Sequence, residues 1–522
     1  MATWKVWVLS ILGILVSLIV VLGIIVVVSA NRDTEPFEPI YAENCAVCHG
    51  EDMQGGALGP SLLAASLAHG DTVDDLTHSI AEGFPDRGMP GWQATMDEGH
   101  IRSLAIYIAE RRVDLDFNNF KMADDLTIPV EVINTELASF KLEPVITGLD
   151  RYPFSIAPLP DGRMLLTERT QGLFVIDADG KKTQVADAPR ASEFGVAMKG
   201  LNFGVGWLLD VAPHPDFASN GWIYLHHTHI CETCADDGGE TLLPVTMNRV
   251  VRGRIVDNVW VDEEVLWSAP KALYSSVPDT GAGGRLTFDA QRRVYFSIGI
   301  KGGYFEGVQD LTLPFGKIHR INDDGSIPAD NPYAGRDDAL HSIWTYGHRS
   351  PQGLEVDFTT GRVWGTEMGP RGGDEVNWLR PGLNYGWPLY SLGVDYDGTP
   401  VEYWKDLGIE FDLEDIEQPV VDFTPSPAIS SFIIYGGNQF AAWQNHFLVG
   451  SLKATELYRL VIEGDELVEK ELLIGNLARI RDIEADAHGL IYLLLEHEAG
   501  SQIVRLVPAN ESAEENALTA AR

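Results

Sequence analysis

The chain is poor in cysteine and in positive charge. Four cysteines among 522 residues exclude a disulfide-dense scaffold, in which cross-links stand in for a core. Lysine and arginine number 38 against 76 aspartates and glutamates, a formal net charge of −38. That shortage of cations excludes a nucleic-acid binder, because phosphate backbones are held by Lys and Arg. It also disfavours lying flat on an anionic lipid surface. Hydrophobic residues at 45% and charged residues at 22% exclude wholesale disorder. The length allows several domains and a sizeable core. The acid excess by itself means only a well-solvated surface.

Long apolar runs are scarce too, with one exception. Val6 to Ala30 contains no charged residue; Lys5 precedes it, and Arg32, Asp33 and Glu35 follow. As a helix such a run crosses about 30 Å of hydrocarbon. A cleavable signal peptide ending at Val28-Ser29-Ala30 is the competing reading, but its apolar core would span about 7–15 residues. The expectation is therefore an uncleaved anchor over residues 1–32.

What the chain does hold is a CxxCH: Cys45, Cys48 and His49. Two thiols at this spacing form thioethers to the haem vinyl groups, and the adjacent His ligates iron. Half of a zinc site would need a second ligand pair, and residues 51–120 contain no Cys. Tyr41 precedes the motif; Gly59, Pro60 and Leu62 follow as a Gly-Pro-x-Leu loop; Gly88-Met89-Pro90 comes later; and a helix is predicted near Asp97–Arg112, with Ile101, Leu104, Ala105 and Ile108 on one face. Over residues 36–113 this combination resembles the class I c-type cytochromes. Met89 is the expected sixth ligand, with Met53 and Met96 as alternatives. The resemblance implies covalent haem c, attached outside the cytoplasmic membrane. The expected location is thus the cytoplasmic membrane, single-pass, with the catalytic part facing the periplasm.

Beyond a linker over residues 114–139, short turns lead into apolar segments. The segments are Met164–Thr167, Trp222–Leu225, Val294–Ile298, Val363–Gly365, His446–Gly450 and Leu490–Leu494. Six turn-plus-strand units predict an all-β propeller over residues 140–508. A β-sandwich of this length would be oversized. A polar tail follows over residues 509–522.

Residues Thr345–Leu354, Thr366–Asn377 and Arg380–Pro388, with Pro213–Phe217, Asp324–Pro328, Gly450–Lys453 and Arg479–Asp482, closely resemble the glucose/sorbosone dehydrogenase family. That family includes soluble quinoprotein glucose dehydrogenase and aldose sugar dehydrogenases. The resemblance implies a six-bladed propeller that binds pyrroloquinoline quinone (PQQ), a planar tricarboxylate. Arg349, Lys453, Arg479 and Arg481 would meet its carboxylates and quinone oxygens. Ser350, where relatives have Asn, and Gln352 and Thr424 would add polar contacts. The resemblance also implies Ca²⁺. One ion would be held by the carbonyls of Gly369 and Pro370, and another by Glu375, Tyr385 (through its carbonyl), Asp395 and Glu417.

The pattern departs from the family at its general base. The expected His before Gly-Arg-Leu is missing from Asp279–Leu286, and the supporting Asp position reads Ile298-Gly299-Ile300. Candidate replacements are His226, His227, His229 and Asp279. Cys231 and Cys234 form a CxxC without a following His; a loop disulfide is expected, with metal binding or a redox role as alternatives. Two functions follow. One is a membrane-anchored quinoprotein dehydrogenase that oxidises a sugar or related alcohol and passes electrons through its haem to a respiratory acceptor. The other is a PQQ- or ligand-binding redox sensor without dehydrogenase activity. A propeller recognising extracellular polymer or protein is disfavoured by the four cations.

Overall fold

The computed structural model describes residues 37–115, 121, 125–198, 201–234, 244–302 and 305–509. The expected anchor and most of the polar tail lie outside them. Among the described residues no helix is long and apolar enough to cross a membrane. The chain divides into two compact units. The first runs to Asn119 and includes Asp395–Pro400; the second comprises Phe120–Val394 and Val401 onward.

The described part of the first unit is helical: Glu38–Asn44, Ala46–His49, Val73–Glu82 and Glu98–Arg112. Local chemistry sets the helix ends. Thr72 and Asp75 form a reciprocal capping box before Val73–Glu82. The Asp97 carboxylate accepts from His100 N at 3.0 Å, and Arg111 and Arg112 complement the dipole at the other end. The predicted stripe Ile101, Leu104, Ala105 and Ile108 is buried, together with Ile106 and Tyr107.

The second unit is a six-bladed propeller. Blade 1 is Pro153–Pro158, Met164–Glu168, Gly172–Ile176 and Lys182–Gln184. Blade 2 is Leu208–Pro213, Ile223–Ile230, Thr246–Val256 and Val259–Ser268. Blade 3 is Leu286–Phe288, Val294–Ile298, Lys317–Ile321 and Ile343–Tyr346. Blade 4 is Pro351–Val356, Val363–Glu367, Glu375–Trp378 and Val421–Asp422. Blade 5 is Ile429–Ile434, Phe447–Ser451, Leu457–Glu463 and Glu466–Ile474. Blade 6 joins Arg479–Ala485, Ile491–Glu496 and Ser501–Pro508 to the early strand Ser139–Leu149, with Ile133–Asn134 beyond it. The ring is thus closed by the start of the domain, whose Lys141 pairs with Val507. Each predicted apolar segment falls on the second strand of one blade.

The first strand of each blade packs on the first strands of its neighbours and forms a ring around the axis. Arg285 holds that ring from inside. Its Nη1 donates to Asp482 Oδ1 at 2.7 Å, its Nε to Gln352 O at 2.6 Å and its Nη2 to Arg481 O at 2.9 Å. Asp482 accepts Ile156 N at 2.8 Å, and Asp210 accepts Leu286 N at 2.7 Å and Ser155 Oγ at 2.5 Å. Ser430 Oγ, on blade 5, donates to Ile480 O at 2.5 Å. Polar groups on the axis therefore join all six blades. Glu355 also faces this cluster. Burial, then Asp210 and Asp482, push its carboxyl up to about 8.

Arg285→Met leaves Asp482 buried without its partner, and is expected to lower unfolding free energy by about 3–5 kcal/mol in denaturant titrations of the propeller. Glu355 behaves oppositely. Its raised pKa means the folded state holds a proton that the unfolded state releases, so stability falls as pH rises from about 4.5 towards 8. Glu355→Gln should melt higher than the parent at pH 8, and the gap should vanish below about pH 4.

Candidate functional site

Antiparallel pairing puts the start of each inner strand and the end of each second strand at one rim. Pro153 pairs with Glu168, Leu208 with His227, Pro351 with Glu367, Ile429 with Ser451, and Arg479 with Glu496. Residues flanking these pairs line one mouth of the propeller. Arg349, Ser350, Gly369, Pro370, Thr424, Lys453, Arg479 and Arg481 all flank them, so the structure brings the expected cofactor seat together at one rim.

The centre of this seat is a carboxylate that sequence reasoning missed. Glu496 Oε1 accepts Arg479 Nε at 3.0 Å, and Oε2 accepts Arg481 Nε at 2.7 Å and Arg169 Nη2 at 3.1 Å. Burial alone would raise Glu496, but Arg481, Arg479 and Arg169 outweigh it and hold the carboxyl at about 2. Three buried guanidiniums thus converge on one carboxylate, and among these four groups the positive charge is in excess. Burial, with Arg481 and Arg479 beside it, pulls Arg169 down to about 10, and it remains a cation at neutral pH. Arg169 follows the strand Met164–Glu168 by one residue, and Lys453 follows Phe447–Ser451 by two. Its place just past the end of a second strand, at the same rim as Lys453, was its signal.

Arg349 lies on the opposite wall. Its Nη1 donates to Met368 O at 3.1 Å and Gly369 O at 2.9 Å, and its guanidinium sits 5.2 Å from the Trp387 ring centroid. Asp374 fixes the Gly369 loop by accepting Gly369 N at 3.0 Å and Ile429 N at 2.8 Å; burial raises its carboxyl to about 6. Gln352 Nε2 donates to Ser350 Oγ at 2.9 Å. The Thr424 hydroxyl accepts Gly373 N at 2.7 Å and donates to Asp422 Oδ1 at 2.6 Å. The cation excess suits a polycarboxylate such as PQQ.

The calcium set is only partly gathered. Burial, then Glu367, raises the Glu375 carboxyl, with Asp422 and Asp374 adding to the effect. Such crowding suits a bound cation. Glu417 instead pairs with Arg380 at 3.0 Å. The Tyr385 hydroxyl donates to Trp378 O at 2.6 Å, and Asp395 groups with the other compact unit. Among the described residues, only Glu136, Glu469 and Glu471 bring three carboxylate, imidazole or thiolate ligand atoms within 4.8 Å of one another. Glu469 and Glu471 are already paired with Arg459.

Of the expected replacement bases, Asp279, His226 and His227 are buried, and His229 is partly exposed beside the rim pair Leu208–His227. Asp279 is fully enclosed. It accepts Gly206 N at 2.7 Å, Thr228 Oγ1 at 2.6 Å and Thr246 Oγ1 at 2.9 Å, and pairs with Lys301 at 3.2 Å. This carboxylate is committed to structure. His226 and His227 are buried in the second strand of blade 2. Burial pulls His226 down to about 3, and burial, then His229 and Arg249, lowers His227 as well. His229 is half-buried and drawn down to about 4 by burial and by Arg249. Its Nδ1 meets the Tyr274 hydroxyl at 3.1 Å. It borders a pocket of about 410 Å³, walled also by Arg249 and Ser268 on the third and fourth strands. That pocket belongs to the outer part of the blade. Cys231 and Cys234 form the expected disulfide, so neither thiol serves as a metal ligand there.

The cytochrome unit presents its own site. Cys45 and Cys48 take part in no disulfide. His49 Nδ1 lies 2.9 Å from Pro60 O, which orients the ring and leaves Nε2 for iron. A Cβ on Gly59 would come within 3.0 Å of Cys48 O and 3.2 Å of the His49 ring; the close approach requires glycine. Met89 is framed by Phe84, whose N donates to Met89 O at 2.8 Å while Met89 N donates to Phe84 O at 3.2 Å. Met53 is 3% exposed and part of the core.

Comparison with known proteins agrees with both halves. The glucose/sorbosone dehydrogenase profile matches residues 150–505, and that of the cbb3-type cytochrome c oxidase subunit III matches residues 32–108. The chain belongs to the glucose/sorbosone dehydrogenase family, with a cytochrome c domain fused at its N-terminal side. It is 30% identical over 384 residues to aldose sugar dehydrogenase YliI of Escherichia coli, covering 72% of this chain and 94% of the relative. It is 27% identical over 483 residues to quinoprotein glucose dehydrogenase B of Acinetobacter calcoaceticus, covering 78% and 95%. The apo-form crystal structure of the soluble aldose sugar dehydrogenase from Escherichia coli superposes with a TM-score of 0.60 at 30% identity, covering 71% of this chain and all of that one.

Glu496→Gln removes the one anion among three cations. The depressed pKa contributes stability above about pH 4.5, which is lost as pH falls towards about 2. The melting-temperature gap between parent and variant should therefore be full at pH 7 and shrink across that window.

Proposed function

We propose that this protein is a quinoprotein dehydrogenase that oxidises a sugar or related alcohol and passes the electrons through its own haem c. The single observation that carries the reading is the buried cation excess at the propeller mouth. Arg169, Arg479 and Arg481 converge on the one carboxylate of Glu496, and Arg349 stands across from them. An anionic cofactor relieves that charge. PQQ, when bound, supplies two-electron acceptance from an alcohol, and haem c supplies one-electron carriage.

Arg349, Lys453, Arg479 and Arg481 would hold and orient the cofactor, with Gln352 and Thr424 as polar contacts. The Gly369 and Pro370 carbonyls and the Glu375 carboxylate are the groups suited to Ca²⁺. His49, Cys45, Cys48 and Met89 would hold the haem. Residence outside the cytoplasmic membrane, anchorage through Val6–Ala30 and delivery to a respiratory acceptor complete the proposal; they rest on the CxxCH and the apolar run.

One observation favours a second reading, a redox sensor without turnover. No His stands in Asp279–Leu286, where the resemblance expects a base, Ile300 stands where it expects the supporting carboxylate, and Asp279 is sealed. The deciding experiment supplies the haem-loaded full chain with PQQ and Ca²⁺ and screens aldoses and alcohols by haem absorbance. Haem reduction by a sugar is the expected result. PQQ binding without reduction by any of them would favour the sensor, and no PQQ binding would sink both. In the same assay Lys453→Ala should weaken PQQ binding by about 10–100-fold, the worth of one charge-assisted contact.

A further inference from the structure

At the mouth beside Glu496, several buried donors lack an acceptor. The Tyr152 hydroxyl, Arg169 Nε and Trp207 Nε1 are closed to solvent and make no hydrogen bond. They form one cluster. The Arg169 guanidinium carbon lies 5.3 Å from the centroids of both the Tyr152 and the Trp207 rings, held between two aromatic faces. The main chain fixes the trio: Arg169 N donates to Tyr152 O at 2.8 Å, and Leu208 N donates to Arg169 O at 3.0 Å. Trp207 packs with Phe154 and Leu209. Tyr152 and Trp207 are only 4% and 5% exposed.

Arg and indole N–H groups donate and never accept, so the missing partner is an acceptor. Leaving buried donors unpaired is costly, and native interiors rarely do it in groups. The charge points the same way, because Arg169 shares one carboxylate with two other guanidiniums. A neutral hydroxyl would satisfy one donor and leave the charge. A carboxylate satisfies several donors and the charge together.

We propose that Tyr152, Arg169 and Trp207 form a carboxylate-binding subsite at the propeller mouth, next to Arg479 and Arg481. The carboxylate has two possible sources: the quinone cofactor, or an acidic sugar of the uronic type. The proposal rests on the quinoprotein reading for the choice between them, but the subsite itself can be tested without it.

The test uses the haem-loaded full chain and its Arg169→Gln, Tyr152→Phe and Trp207→Phe variants. PQQ is titrated in the presence of Ca²⁺, and kcat/KM is measured for glucose and glucuronate by haem reduction. If the cofactor supplies the carboxylate, Arg169→Gln raises the PQQ dissociation constant by about 10–100-fold and the two aromatic variants by about 3–10-fold. If the substrate supplies it, PQQ affinity holds and the glucuronate-to-glucose ratio of kcat/KM falls at least about tenfold in Arg169→Gln. Unchanged PQQ affinity with an unchanged ratio overturns the proposal. Should the parent bind no PQQ, the quinoprotein reading fails alone. Citrate then decides the subsite: a rise in melting temperature in the parent but not in the variants supports it, and equal shifts overturn it. If Arg169→Gln fails to fold, the Tyr152→Phe and Trp207→Phe results decide.

Discussion

Arg285 and its two carboxylates, Asp482 and Asp210, carry the propeller. A ring of antiparallel blades has no single core; each blade packs only against its neighbours, and its apolar clusters lie between sheets. Something must fix the blades around the axis, where inner strands meet and room is small. Here the task falls to a guanidinium from blade 3 that reaches blades 2, 4 and 6, with both carboxylates continuing to blade 1. The arrangement is demanding, because every buried charge must be paired. Its return is directional. Hydrogen bonds set the register of inner strands, and that register decides which residues emerge at the mouth.

The same logic explains how a chain with a net charge of −38 keeps a strongly positive site. Acid is dispersed over the surface, where water screens it. The guanidiniums are gathered at the ends of inner and second strands, where backbone direction brings them together. Glu496 keeps three of them in place without cancelling them. A buried site built this way holds its donors in position before any ligand arrives, so little has to be ordered on binding.

Much of this was legible in the sequence, and the reasons differ by residue. Turn residues followed by apolar runs marked the second strand of every blade, since these strands are buried on both faces. The CxxCH, the Gly-Pro loop and the closing helix identified the cytochrome, because haem attachment fixes residue types at short spacing. Arg349, Lys453, Arg479 and Arg481 were singled out through family motifs, and the structure sets them at one rim. Glu496, Arg169, Tyr152 and Trp207 were not singled out, because Glu496 comes from blade 6 and meets residues at the edges of blades 1 and 2 only when the ring closes. His226, His227 and Asp279 were misplaced for a related reason. Their residue types suggest acid–base chemistry, yet strand register turns them into the interior, where backbone amides, hydroxyls and Lys301 claim the carboxylate and desolvation keeps the imidazoles neutral.

The closing of blade 6 carries a consequence for the order of events during synthesis. The strand Ser139–Leu149 is among the first parts of the propeller to leave the ribosome, but its partner Ser501–Pro508 is among the last. Until that partner arrives, the early strand has an exposed edge and the ring stays open. The helical unit before it waits on late chain as well, because Asp395–Pro400 belongs to it and the Ser103 hydroxyl donates to Gly398 O at 2.5 Å. Both compact units are therefore completed only by segments made late, so neither reaches its full set of contacts until most of the chain has been synthesised.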